Sequence, residues 1–190
     1  MIVPLPDKKY DIILCDPPWN FKTWSKKGKG RSADKHYNCE TTVDLAWIDV
    51  NSIANDNSVM FMWSTYPKLP EAIALMEAWG FAYKTVAFTW VKKTKHDKEH
   101  VGMGYYTRAN PEICLLGTKG KILPRVSHSV RNLVIAPIGK HSEKPLEVKR
   151  RIDALFGKCL RIELFARNVE DSNWDYWGAE VNGNKGEEVL

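Results

Sequence analysis

Tyr10-Asp11-Ile12-Ile13-Leu14-Cys15-Asp16-Pro17-Pro18-Trp19 is an apolar run of strand length that ends abruptly in a carboxylate, two prolines and an indole. Ile12, Ile13 and Leu14 follow one another without polar alternation, which suits a strand covered on both faces, as in a parallel sheet. Each proline fixes φ at about −65° and has no N–H to donate. The chain therefore leaves the strand as a stiff turn whose carbonyl oxygens are free to face a ligand, with Asp16 on the turn and Trp19 beside it. Four residues alone read equally well as a strand ending in a Pro-Pro turn, so the rest of the chain has to discriminate.

Outward from this stretch, apolar runs alternate with breakers in a strand-helix order. Thr41 or Thr42 caps a helix expected over 43–54, and Ser-Val-Met-Phe-Met-Trp-Ser at 58–64 reads as a second buried strand. Pro67 and Pro70 lead a helix ending at Trp79, with Gly80 placed for the left-handed conformation after the last turn. A long strand is expected over 81–92, and 111–118 is its antiparallel partner across a loop holding Gly102-Met103-Gly104-Tyr105-Tyr106. Further strands fall at 132–136, 160–165 and 174–178, and a helix runs from Lys144-Pro145 to Phe156, stopped by Gly157. This alternation predicts an α/β chain with a doubly wound sheet, whose ligands sit at the carboxyl ends of the strands. Asp16 and Arg167 both lie just past such ends. No linker or repeat divides the chain, so residues 1–183 are expected to form one domain and 184–190 a frayed tail.

At 190 residues and 21.8 kDa the chain suits one domain of roughly 100–200 residues. No apolar run approaches the roughly 20 residues that span a bilayer, which argues against a membrane protein. The N-terminus lacks the charged-apolar-small order of a secretory signal, so a cytoplasmic location is expected. Cys15, Cys39, Cys114 and Cys159 form no Cys-x-x-Cys pair. A disulfide framework and a metal site are both disfavoured, and the thiols suit a reducing compartment. The net charge of +5 is unevenly placed. Lys22, Lys26, Lys27, Lys29 and Arg31 crowd the loop after the Asp-Pro-Pro-Trp turn, beside Trp24, while Lys92, Lys93, Lys95 and Lys98 follow Trp90. Either loop alone reads as a solvated basic flap. The first begins two residues after the turn, where a phosphate-bearing substrate would enter.

A carboxylate and a peptide oxygen on a rigid turn suit methylation of a planar exocyclic amine. The lone pair of such an amine, for example N6 of adenine, is delocalised into the ring, and the nitrogen becomes nucleophilic when acceptors hold its hydrogens. Asp16 and the Pro17 carbonyl are candidate acceptors, and Trp19 is placed to stack on the base. A methyl donor needs partners for its ribose and its amino-acid end. Glu163-Leu164-Phe165-Ala166-Arg167-Asn168 ends a strand in polar residues, and Glu180 follows seventeen residues after Glu163. An acid near that spacing commonly accepts ribose hydroxyls in nucleotide-binding α/β folds. Lys144, with His141 three residues earlier, stands at a helix start whose free N–H groups also attract carboxylates. No Gly-x-Gly-x-x-Gly run supports hydride chemistry on a dinucleotide.

Taken together, Asp16-Pro17-Pro18-Trp19, His141-Ser142-x-Lys144-Pro145, Glu163-Leu164-Phe165-Ala166-Arg167 and Asn173-Trp174-x-x-x-Gly178 resemble the DPPW-type adenine-N6 methyltransferases. That family includes the catalytic subunit of the eukaryotic messenger-RNA N6-adenosine methyltransferase and small bacterial and phage DNA adenine methylases. The resemblance covers nearly the whole chain, and its catalytic turn precedes the cofactor strand, the circularly permuted (β-type) order. It implies S-adenosylmethionine as donor and a Rossmann-like fold, a mixed, mostly parallel sheet with helices on both faces. By motif match, Asp16 and Pro17 hold the amine on a turn completed by Pro18, and Trp19 packs in the catalytic pocket. Lys144 meets the donor's methionine carboxylate; Arg167, Asn168 and Glu180 surround its ribose, near Glu163, Leu164 and Phe165. The stretch Tyr106-Thr107-Arg108-Ala109-Asn110-Pro111-Glu112 resembles one common in microbial members and is assigned to the substrate side through Tyr106, Arg108, Asn110 and Glu112. Asn20, Lys26, Lys27 and His141 join it there. Arg108 and Glu112 read equally well as an internal ion pair supporting the hairpin.

Three departures accompany the match. The acidic-aliphatic pair that longer members place upstream of the catalytic strand, to read the donor's adenine, is not in this sequence. Ala179 stands where relatives often carry asparagine, and the loop 167–174 is about one residue shorter than in the messenger-RNA enzyme. The expected reaction is direct methyl transfer to N6 of adenine in DNA, without metal or covalent enzyme intermediate. N6-adenosine methylation of RNA, methylation of another exocyclic amine, and a non-catalytic nucleic-acid-binding subunit of the same fold are the alternatives. Sequence choice then falls to the loops 20–38 and 93–106, to a second copy of the chain or to a partner subunit.

Overall fold

The computed structural model describes residues 3–19, 42–139, 143–169 and 172–182; the expected tail at 184–190 lies outside them. Among the described residues, β1 (Tyr10–Cys15), β2 (Ala54–Ser64), β3 (Ala82–Lys93), β4 (Glu112–Lys119), β5 (Leu133–Pro137), β6 (Arg161–Leu164) and β7 (Asp175–Trp177) form one sheet. Their order is β5-β3-β4-β2-β1-β6-β7. Only β4 runs antiparallel to its neighbours β2 and β3, so the sheet is mixed and mostly parallel, as expected.

Helices cover both faces. On one, α1 (Thr42–Ala46) and α2 (Leu69–Ala78) bring Leu45, Leu75 and Met76 onto Ile13, Cys15, Met60 and Met62. On the other, α3 (Leu146–Phe156) brings Val148 and Ile152 onto Ile12, Leu14, Phe61 and Trp63. Alternate residues of β1 and β2 thus feed opposite cores, which accounts for the unbroken apolar runs of the sequence. Tyr10 joins the same core as Ile13 because β1 shifts register between Tyr10 and Ile12, where Asp11 N and Ile12 N both donate to Leu160 O at 3.0 and 3.1 Å.

Two elements differ from expectation. The helix expected over 43–54 stops at Ala46, and a separate 3-10 turn occupies Val50–Ile53. Asp49 accepts from Ser52 N at 3.2 Å while Ser52 Oγ donates to Asp49 O at 2.7 Å, local bonds that compete with helix continuation. Thr42 is the first helical residue rather than a cap, and Thr41 lies outside the described residues. Strand β2 begins at Ala54, earlier than Ser58, because Asn55 reaches across to Asp11 (2.8 Å) and holds the polar lead-in beside β1.

The connectivity places the chemistry. Strands β1, β2, β3, β5, β6 and β7 all point one way, so Cys15, Ser64, Lys93, Pro137, Leu164 and Trp177 end at one edge, where β4 begins at Glu112. From β1 the chain builds outward through β2 on one side, while β6 and β7 lie on the other. The crevice beyond the carboxyl ends of β1 and β6 is therefore the topological switch point, where open α/β sheets bind ligands.

Candidate active site

Asp16 leaves β1 at that crevice with a quarter of its side chain exposed. Lys144 Nζ donates to its Oδ2 at 2.6 Å, while Oδ1 has no protein partner among the described residues. Pro17 is buried, and its carbonyl accepts the Trp19 N–H at 2.8 Å. A carbonyl carries two lone pairs, so this turn bond leaves the Pro17 oxygen one acceptor site. Pro18 is half-buried between them. Trp19 is only 6% exposed and donates Nε1 to Trp63 O at 3.0 Å. It is a fixed wall tied to β2, not a ring projecting toward solvent.

Lys144 sits one residue before Pro145, whose extended backbone caps α3. Its ammonium lies 3.5 Å from Glu112 Oε2 and 5.7 Å from the centre of the Trp63 ring. The other Glu112 oxygen accepts from Lys92 Nζ, which lies 5.1 Å from the Trp90 ring centre. Trp63 and Trp90 meet edge to face at 6.3 Å. Two cations and two anions thus alternate, Lys92, Glu112, Lys144, Asp16, over a floor of two indoles. Burial disfavours the Lys144 ammonium, but the charges of Asp16 and Glu112 outweigh it and raise its pKa. Burial likewise disfavours ionised Glu112, and Lys144 and Lys92 together overcome it and lower its pKa. Cys15 and Cys114, fully buried nearby, have pKa values pushed up chiefly by burial and are inert packing groups.

The second half of the crevice is built by β6 and β7. Glu163 pairs with Lys149 of α3, whose ammonium lies 4.9 Å from the Tyr176 ring centre, so this acid is committed within the fold. Leu164 is fully buried in the core. Phe165 takes a left-handed backbone (φ 60°) and is stacked with Trp79 at 6.4 Å and edge-on with Trp177 at 5.5 Å. Arg167 Nε stands 3.9 Å from Glu180 Oε1, bringing the exits of β6 and β7 together, with Asn168 exposed beside them. The Arg167 charge also opposes the proton on Lys144, which joins this half to the Asp16 half.

On the substrate side the expected residues separate. Glu112 is paired with lysines and not with exposed Arg108, which corrects the internal pair considered for those two residues. Asn110 clips the base of its loop: its Oδ1 accepts Lys92 N at 2.8 Å, and its Nδ2 donates to Lys92 O at 2.9 Å and His100 O at 2.6 Å. Tyr106 is almost wholly exposed. Asn20, Lys26, Lys27 and His141 lie outside the described residues. Sequence reasoning missed Lys92, Trp63 and Trp90 as parts of the site. The available signal was the antiparallel pairing of 81–92 with 111–118, which sets Trp90 opposite Glu112 and so brings Lys92 near it.

Residues 10–180 match the family model described as MT-A70. The chain belongs to the MT-A70 family. Among relatives, the type II methyltransferase M.MunI of Mycoplasma sp is 40% identical over 197 residues, covering 95% of this chain and 82% of that protein. An N(6)-adenosine-methyltransferase MT-A70-like protein of Arabidopsis thaliana is 25% identical over 179 residues, 92% of this chain and 24% of its own length. The human N(6)-adenosine-methyltransferase catalytic subunit METTL3 is 23% identical over 179 residues, 92% of this chain and 29% of its own length. The chain is thus an MT-A70 methyltransferase that uses S-adenosylmethionine. At the crevice Glu180, with Arg167 and Asn168 beside it, offers the hydrogen-bonding groups that ribose hydroxyls need, whereas Lys144, expected to meet the donor's carboxylate, is engaged by Asp16 and Glu112.

Proposed function

We propose that this MT-A70 chain transfers a methyl group from S-adenosylmethionine to N6 of adenine in DNA, with Asp16, on the turn closed by Pro17, Pro18 and Trp19, as the catalytic carboxylate. The observation that carries the reading is the state of Asp16 at the switch point. Lys144 holds one of its oxygens and the other has no protein partner among the described residues. Oδ1 accepts one amino hydrogen, and the remaining lone pair of the Pro17 oxygen accepts the second. These bonds draw electron density onto a nitrogen that is otherwise conjugated into the ring. When bound, the donor supplies an electrophilic methyl carbon on sulfur. Asp16 Oδ1, bonded to an amino hydrogen, also takes the proton that the methylated nitrogen sheds. Lys144, held from behind by Glu112, keeps the carboxylate from rotating, so positioning and electrostatics supply the acceleration. Arg167, Asn168 and Glu180 bind the donor, near the backbone of Glu163, Leu164 and Phe165.

DNA is favoured by the 40% identity to the type II methyltransferase, which extends over most of both chains. The N(6)-adenosine-methyltransferase relatives, at 23–25% identity, support RNA as the second reading. Nucleic acid is the partner in either case, and a second copy or another subunit can share the choice of target. The test is incubation with labelled S-adenosylmethionine and matched DNA and RNA, followed by nucleoside mass spectrometry. N6-methyladenine in DNA is expected. Asp16→Asn should lower turnover on the order of 10²–10³-fold while calorimetry still detects the donor. Near-normal turnover in that variant overturns the assignment.

A further inference from the structure

The hairpin between β3 and β4 presents a cluster of apolar and aromatic side chains to solvent. Tyr105 and Tyr106 are 78% and 95% exposed, with ring centres 5.2 Å apart and planes at 78°. Val101 and Met103 next to them are 58% and 59% exposed. Clustered exposure of this kind marks a contact surface, where a lone exposed apolar residue would not.

The tip is held firmly. Gly102 N donates to Ala109 O at 2.7 Å, and Thr94 N donates to Lys98 O at 2.8 Å. Asn110 stitches the base to the end of β3. A Cβ on Gly104 would fall 1.9 Å from Thr107 O, so the tight reversal below the tyrosines requires glycine. The base of the hairpin belongs to the active site through Lys92, Glu112, Lys144 and Asp16. Tyr106 is six residues from Glu112, so at most about 20 Å of chain separates it from the active site. Lys95, Lys98 and Arg108 are exposed around the tip, with Asp97 and Glu99 as the opposing acids. That basic excess favours a phosphate backbone over a second copy carrying the same charges.

We propose that Tyr106, braced by Tyr105, is the wedge that fills the DNA stack when the target adenine leaves it. Withdrawing a base exposes the faces of its neighbours, and an inserted ring restores part of the lost stacking. Trp19 is not available for this task, being buried and bonded to Trp63. The inference rests on the reading of DNA as substrate. Methylation of one target site should be followed in a matched duplex, a duplex whose target adenine faces a mismatch, and a single strand. Tyr106→Ala should lose tenfold or more in kcat/KM on the matched duplex and less than twofold on the other two. Tyr106→Phe should stay near the wild type, since a phenyl ring stacks as well. With 2-aminopurine at the target of the matched duplex, fluorescence should rise on binding the wild type and not on binding Tyr106→Ala. Equal losses on all three substrates, or no loss on the matched duplex, overturn the wedge. A wild-type chain that methylates no DNA defeats the substrate reading itself, and the wedge with it, whereas active wild type with unimpaired Tyr106→Ala defeats the wedge alone.

Discussion

At Glu112, a residue that touches no reacting atom in the proposed reaction, two lysines share one carboxylate, one on each oxygen. Its side chain is about one-sixth exposed, as is that of Lys144, so solvent screens these charges only partly. Removing one partner of a buried pair typically costs about 3–5 kcal/mol because the other charge is left uncompensated. Glu112→Gln keeps the shape and one acceptor oxygen but loses the charge and turns the other oxygen into an NH2 facing a lysine, so a cost of about 1–3 kcal/mol is expected in urea unfolding. Lys144 would then lose the charge of Glu112 while keeping that of Asp16, and draw the catalytic carboxylate out of line. Turnover should fall on the order of 10–100-fold with donor KM little changed, a split that a merely destabilised enzyme would not show. Sequence reading singled out Asp16, Lys144 and Glu112 because each sits in a short motif, but it gave Lys144 to the donor's carboxylate and Glu112 to the substrate side rather than to this network. It did not reach Lys92, Trp63 and Trp90, whose part in the site exists only once β2, β3 and β4 pair in register. Nor did it foresee that Glu163 would be taken by Lys149, since a strand acid and a helix lysine fourteen residues apart meet only through packing on the sheet face.

Among the elements, β1, β6 and β7 carry the crevice, and their exits are locked by close backbone approach. A Cβ on Gly178 would lie 2.3 Å from Ala166 O and 2.8 Å from Ala166 N, both backbone atoms that cannot swing away. Gly117 is crowded differently, with its closest contact, 2.4 Å, to Met76 Sδ, near the end of a flexible side chain. Gly178→Ala should therefore cost about 1–3 kcal/mol and Gly117→Ala less. Thermal unfolding should show this as roughly 2–4 °C per kcal/mol for a chain of this size. Gly178→Ala should also weaken donor binding, because Arg167 and Glu180 sit on the two exits being forced apart. Equal effects of the two substitutions would contradict this account. Every strand was legible from apolar runs and breakers, most plainly β1 and the second half of β2, whose burial on both faces leaves no polar alternation to confuse the reading. The boundaries at 47–58 were not, because Asp49 and Ser52 settle them by side-chain bonds to the backbone that hydrophobic pattern does not report. Gly80 and Gly157 do adopt the positive φ, 86° and 61°, that marks where their helices stop.

Across the whole molecule, the parallel strands are pinned at both ends by carboxylates that must stay ionised. At the catalytic edge, Glu112 is held below its usual 4.5 because Lys144 and Lys92 outweigh the effect of burial. At the opposite edge, Asp175 is held below its usual 3.8, as hydrogen bonds from Lys8 (2.6 Å) and Tyr10 (2.8 Å) outweigh burial. A carboxylate with a depressed folded-state pKa contributes stability that is present above its unfolded value and lost as pH falls through its folded value. Lys144 has the opposite sign. Its raised pKa contributes fully below the usual lysine value of 10.5 and is lost as pH rises through the folded value. Stability should hold level from about pH 5 to 8, as is common for such networks, then decline on the acid side as Glu112 and Asp175 take up protons. Asp175 is nearly half exposed and screened by water, so Glu112 should dominate the acid limb. Urea midpoints measured across pH 3–8 for the wild type, Glu112→Gln and Asp175→Asn test this. Glu112→Gln should flatten the acid limb more than Asp175→Asn. If its slope matches the wild type, acid sensitivity does not arise in the network behind the catalytic carboxylate.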